Sequence, residues 1–236
     1  MPKSEKLPSF WGFGFGLHSD FWFRISDFPH RLPAVSHTYP MMLNVADRLA
    51  VIIGGGGVGA RKAAGLLAAG AERVRVVSLT FDHTMPSGVE RVLAVFEPAH
   101  LDGADLVFAA TDRAEVNAAV VAAAAQRKIW ACRADADADF STPAIARKGA
   151  VTIAVSAAGS PAIAAHLRDQ IQAGLDPRWI DLADAAAKLR PAILAAGLSP
   201  QERKKILQDM ATEEAADHAS DLQSWIEQRI GRKLTV

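Results

Sequence analysis

Apolar residues fall in short blocks, separated by glycine turns and alanine-rich stretches, along most of the chain. Leu49–Ile53 is an unbroken apolar run, the composition of a strand buried on both faces. It breaks at Gly54, and Val58–Ala69 follows as an alanine-rich helix stopped by Gly70. Val74–Val77, Val92–Phe96, Leu106–Ala110 and Lys128–Cys132 read as further strands, with a helix over Ala114–Gln126 between the last two. Strands alternating with helices imply a parallel sheet with crossover helices. After Cys132 the alternation stops. Val151–Val155 is β-rich, and Ser160-Pro161 reads as an N-cap and first-turn proline opening a helix to Ala173. Pro177–Leu189, a helix opened by the capping box Ser199-Pro200-Gln201-Glu202, and Leu222–Ile230 predict a helical C-terminal region.

Residues 1–38 do not share this pattern. Phe10, Trp11, Phe13, Phe15, Phe21, Trp22, Phe23 and Phe28 crowd among glycines, prolines and histidines without a helical or strand period, and a poorly ordered extension is expected there. Composition then narrows the function classes. The 26 basic and 26 acidic residues cancel, so no overall field favours nucleic acid or an acidic membrane. No apolar run approaches the roughly 20 residues of a membrane span. Cys132 is the lone cysteine, which excludes an internal disulfide and a multi-cysteine metal site and suits a reducing cytoplasm.

The candidate chemistry begins where the first strand ends. Gly54, Gly56 and Gly59 have the G-x-G-x-x-G spacing between strand and helix. In a dinucleotide site the first glycine makes the turn, the second admits a pyrophosphate, and the third lets helix approach strand. The helix N-terminus then offers free N–H groups to phosphate. Such a site usually has an acid about 20 residues past the first glycine, on the ribose hydroxyls. Here that place falls near Ser78, where no acid stands; Leu79 and Thr80 can supply backbone or hydroxyl contacts instead, and the choice between NAD and NADP stays open.

A second candidate is the acidic run after the fifth strand, where Asp135, Asp137 and Asp139 alternate with alanines. An extended conformation would put all three carboxylates on one side. Ligands of open α/β folds sit beyond the carboxyl ends of the strands, so a carboxylate here is placed to act as a general base. No histidine lies close enough in sequence to suggest a metal site, and His100 and His166 read as structural or surface residues.

In order and spacing, several motifs together resemble the siroheme synthase N-terminal family, the precorrin-2 dehydrogenases and sirohydrochlorin ferrochelatases. They are Tyr39-Pro40-Met41-Met42-Leu43, the Gly54–Lys62 turn, Ala109-Ala110-Thr111-Asp112 with Asn117, Phe140-Ser141-Thr142-Pro143-Ala144, and Ala154-Val155-Ser156 followed by Gly159-Ser160-Pro161. The resemblance covers residues 39–225. It implies a Rossmann-like NAD-binding domain over 39–138, a small α+β dimerisation domain over 139–175 and a helical region over 176–236, assembled as a homodimer. The implied activity is NAD-dependent oxidation of precorrin-2 to sirohydrochlorin, which some members follow with insertion of ferrous iron. The methyltransferase of fused members is not expected within these 236 residues.

By the same resemblance, Gly54, Gly56, Gly57, Val58, Gly59, Leu79, Thr80 and Thr111 hold the cofactor, and Asp135 is the catalytic carboxylate. Arg61, Lys62, Arg133, Arg147, Lys148, Arg168 and Ser156 are candidate contacts to a polycarboxylate tetrapyrrole. The chain departs from the family in having Cys132 where asparagine is common, a shorter loop before Phe140, and a shortened Ser156-Ala157-Ala158-Gly159 turn. Counting back from Phe140 moves the catalytic role toward Asp137 or Asp139. Two other readings therefore stay beside the dehydrogenase: a non-catalytic NAD-sensing module that binds a partner, and a chelatase alone.

Overall fold

A computed structural model describes residues 39–157 and 160–234. The aromatic extension, residues 1–38, lies outside the described residues, as do Ala158 and Gly159 of the shortened turn. Five parallel strands form one sheet: β1 (Leu49–Ile53), β2 (Arg73–Ser78), β3 (Glu90–Leu93), β4 (Leu106–Ala109) and β5 (Trp130–Arg133), in the order β3-β2-β1-β4-β5. Because the strands are parallel, all five carboxyl ends lie at one edge. Chain order reverses between β1 and β4, and that switch point opens the crevice where such sheets take ligands.

The two faces of the sheet bury alternate residues. Ala50, Ile52, Val76 and Phe108 pack on one side with Ala60, Ala63 and Leu66 of α1 (Gly57–Ala68). Val51, Ile53, Val107 and Ala131 pack on the other with Val120, Ala123 and Ala124 of α2 (Ala114–Gln126). Alanines on both helices let them come close to the sheet, and every residue of β1 and β4 is buried. A run covered on both faces has no polar positions, which is why these strands were legible as apolar blocks.

Two strands sit at different places than their apolar runs suggested. The third strand is Glu90–Leu93 rather than Val92–Phe96, because the edge register pairs Arg75 with Glu90 and Ser78 with Leu93. The fifth starts at Trp130, since Lys128 adopts φ 58° in the turn leaving α2 and cannot belong to a strand.

Beyond the sheet, β6 (Ala144–Lys148) and β7 (Val151–Val155) form an antiparallel hairpin covered by α3 (Pro161–Ala173). Ser160 caps α3 by accepting from Ile163 N, with Pro161 in the first turn as read from sequence. β6 was missed because Ala-Ile-Ala-Arg-Lys is too short and mixed to carry a strand period; its pairing partner makes it one. Gly149, at φ 52°, turns the hairpin, and Ala150 N donates to Asp184 Oδ1 at 2.5 Å, tying it to α4.

α4 (Pro177–Ala195) runs past the expected stop at Leu189 and contains Pro191. An interior proline costs about 3 kcal/mol or more. Burial of Leu189, Ala192 and Ile193 against α5 (Pro200–Asp209) and α7 (Leu222–Ile230) offsets it. The Ser199–Glu202 capping box is present in both directions, at 3.2 and 2.8 Å. Short α6 (Glu213–Asp217) buries Ala215 and Ala216 in the same cluster. Among the described residues, no helix is long and apolar enough to cross a membrane.

Candidate functional site

The glycine turn leaves β1 at the switch point, and each glycine has a separate physical reason. Gly54 takes φ 118°, and a Cβ there would lie 2.4 Å from the Ala110 carbonyl oxygen. Gly59 faces the Gly54 carbonyl, 2.0 Å from where its Cβ would stand. Gly56, at the N-cap of α1, is exposed and has no atom within 4 Å of its Cβ position. The turn is therefore closed against the protein on two sides and open to an occupant at the second glycine. Side-chain-free backbone with helix N–H groups aimed outward fits a pyrophosphate. Gly55, a free position in the spacing rule, is as restricted as the others: its Cβ would meet Thr80 O at 2.1 Å.

The loop after β2 folds back over the turn. Asp82 N donates to Gly55 O at 2.7 Å, so Leu79 and Thr80 pass beside the glycines with their side chains exposed. Asp82 is turned toward the helix start. Its Oδ1 accepts from Thr84 N at 2.8 Å and Thr84 Oγ1 at 2.6 Å, and these bonds hold its carboxyl below the usual range. Counting about 20 residues from Gly54 missed this acid, because the loop is longer and returns.

Thr111 and Asp135 are joined by one residue. Asn117, in α2, is 1% exposed and is the buried polar residue among the described ones. Its Oδ1 accepts from Thr111 N at 3.1 Å and Thr111 Oγ1 at 2.8 Å. Its Nδ2 donates to Thr111 O and to Asp135 Oδ1, both at 3.1 Å. Since Gly54 abuts Ala110 and Thr111, a continuous packed path links the glycine turn to Asp135.

The acidic loop is bent, not extended, so the three carboxylates do not line up on one side. Asp139 turns back and accepts from Ala131 N at 2.9 Å, satisfying a donor on the open edge of β5. Asp137 is exposed. Asp135 receives Arg133 in a two-pronged pair, Nε to Oδ1 at 2.7 Å and Nη2 to Oδ2 at 2.8 Å. That guanidinium brings its carboxyl down to about 2. A carboxylate so held is a weak base until Arg133 lets go.

The basic residues separate into engaged and free groups. Lys62 bonds Thr142 Oγ1 and lies 5.8 Å over the Phe108 ring, tying α1 to the segment after β5. Arg168 pairs with Asp169. Arg147 and Lys148 are exposed on β6, Ser156 is exposed after β7, and Arg61 is exposed beside Gly57. Cys132 is buried under this region; burial pushes its thiol up, against the opposing field of Lys62.

A parallel sheet with a glycine turn at its switch point defines a Rossmann-type dinucleotide-binding protein. A family model described as "Putative NAD(P)-binding" matches residues 41–144. The chain belongs to the siroheme synthase N-terminal family. It is 35% identical to the siroheme synthase of Methylobacillus flagellatus over 201 residues, 77% of this chain and 43% of that protein. It is 37% identical to siroheme synthase 1 of Aeromonas salmonicida, over 70% of this chain and 37% of that protein. The chain thus spans less than half the length of these curated relatives. Among solved structures, SirC, precorrin-2 dehydrogenase, superposes with a TM-score of 0.66 at 19% identity, over 81% of this chain and 100% of that one, and so shares its fold.

Proposed function

We propose that this chain is an NAD-dependent dehydrogenase that oxidises precorrin-2 to sirohydrochlorin. The observation that carries the reading is the path Gly54–Thr111–Asn117–Asp135, which places a carboxylate beyond the sheet edge, next to the turn that fits the cofactor. When bound, NAD supplies the hydride acceptor. The protein's part is to hold the macrocycle across the crevice and to receive the proton that leaves as the hydride departs. Asp135 is our choice for that acceptor, because Asp139 is spent on the β5 edge and Asp137 has no positioning bond. A substrate carboxylate arriving at Arg133 competes for the guanidinium and frees Asp135 to act as a base. Arg61, Arg147 and Lys148 are exposed cations suited to the remaining carboxylates.

The chain further acts as a homodimer, on our reading. A two-stranded hairpin is marginal alone, and none of the residues of β6 and β7 is buried. On α3, Ile163, Leu167 and Ile171 repeat every fourth position along one face and are 55, 39 and 51% exposed. A second copy of the same apolar unit would cover them. The free Cys132 suits a reducing cytoplasm.

The test is direct. Purified protein with precorrin-2 and NAD should yield NADH together with sirohydrochlorin absorbance, and absence of turnover refutes the proposal. Asp135→Ala should lose turnover while still binding NAD; an active variant moves the role to Asp137. Sirohydrochlorin supplied with ferrous ion and no NAD separately tests metal insertion.

A further inference from the structure

We infer that Asp82 is the ribose-binding acid of the cofactor site and selects NAD over NADP, an assignment that rests on the dinucleotide reading of the glycine turn. Three features place it there. The loop that carries it leaves the carboxyl end of β2, where Rossmann sites present an acid to the adenosine ribose. Its own backbone N–H is bonded to Gly55 O at 2.7 Å, which fixes the residue against the turn whatever its side chain does. Thr84 then occupies Oδ1 with two short bonds, locking the rotamer. Oδ2 has no hydrogen-bond partner among the described residues and stands 3.8 Å from the Cβ position of Gly57, at the first turn of α1.

A ribose passing Gly57 would meet that free oxygen. A 2′-hydroxyl can donate to it, making a charge-assisted hydrogen bond. A 2′-phosphate would bring a second anion against it instead, and like charges at such distances oppose binding. Arg61 Nη1 lies 3.7 Å from the same Gly57 position. It balances Asp82 at the mouth of the turn and is free to meet the pyrophosphate. If Asp82 were neutral, Arg61 would face the ribose uncompensated, with His83 Nδ1 nearby at 3.4 Å from Asp82 Oδ1, and would welcome a phosphate. Selectivity thus depends on the carboxylate charge and not on the shape of the pocket.

The experiment is titration of the full chain with NADH and NADPH, followed by nicotinamide fluorescence, for wild type, Asp82→Asn and Thr84→Val. Wild type should bind NADH more tightly by tenfold or so. Asp82→Asn should weaken NADH about tenfold and strengthen NADPH, bringing the ratio of the two dissociation constants near one. Thr84→Val keeps the carboxylate and the backbone bond to it but removes the hydroxyl bond, loosening the rotamer, and should fall between the two. Thermal unfolding of each variant checks that the fold holds; the backbone bond to Gly55 is retained in all of them. An unchanged ratio in Asp82→Asn overturns the assignment while the dinucleotide site stands, as does a wild type that prefers NADPH. Binding of neither nucleotide to wild type would sink the dinucleotide reading itself, and this inference with it.

Discussion

Replacing Gly56 and Gly59 separately by alanine should split cofactor binding from folding, although both belong to one motif. At Gly56 the backbone has φ −73° and ψ −176°, ordinary extended geometry, and nothing lies within 4 Å of the new methyl. Stability should therefore hold, or rise by about 0.4–1 kcal/mol as the unfolded chain loses freedom. The methyl would stand where the pyrophosphate approaches the main chain, so NADH binding should weaken tenfold or more, about 1.4 kcal/mol. At Gly59 the methyl carbon would be 2.0 Å from the Gly54 carbonyl oxygen. Both partners are backbone, so α1 must shift off β1. Overpacking of this kind costs about 1–3 kcal/mol, and at about 2–4 °C per kcal/mol for a chain this size the melting temperature should fall by about 2–12 °C. Circular dichroism melts and NADH fluorescence titration read the two effects. A Gly56→Ala protein that binds NADH like wild type, or a Gly59→Ala protein that melts like wild type, would refute the reasoning.

Three other predictions concern the crevice and the apolar face. The Asp135 carboxyl is depressed in the folded state, so the stability it contributes is present above its ordinary value near 4 and lost as pH falls toward 2. Arg133→Leu should flatten that acid limb in urea midpoints measured from pH 7 down to pH 2, and an unchanged limb would contradict the pair. Asn117→Ala strands the amide, carbonyl and hydroxyl of Thr111 together with one bond to Asp135, and should cost about 2–3 kcal/mol by urea titration. A loss under about 0.5 kcal/mol would mean that water replaces it freely. Leu167→Asp puts a charge in the middle of the α3 apolar face and should convert a dimer to a monomer in light scattering after gel filtration; a mass that does not change removes that face from the interface.

Much of the fold could be read along the chain, and the reason is local. β1 and β4 are buried on both faces, so burial appears as an unbroken apolar run. Helix ends carry their own signals, and Ser160-Pro161 and Ser199–Glu202 cap the helices they were expected to cap. The glycine spacing was legible because strand, turn and helix are consecutive. The misses have a common cause in partners distant along the chain. β6 is a strand because β7 pairs with it, β3 takes its register from β2, and α4 passes Pro191 because its far end is buried.

The sequence by itself determined the alternation of strand and helix, the turn that fits a dinucleotide, and the family. Tertiary structure decided how the acids at that turn and beyond it are held. Three alternating aspartates look equivalent in a row, yet one caps an edge strand, one points to solvent, and Asp135 alone is held by Asn117 and Arg133. Asp82 was invisible to counting because the loop that carries it returns to the glycines by a bond to Gly55. Periodicity records which face of an element is buried. It holds no record of which side chains two separate loops bring to the same few ångströms.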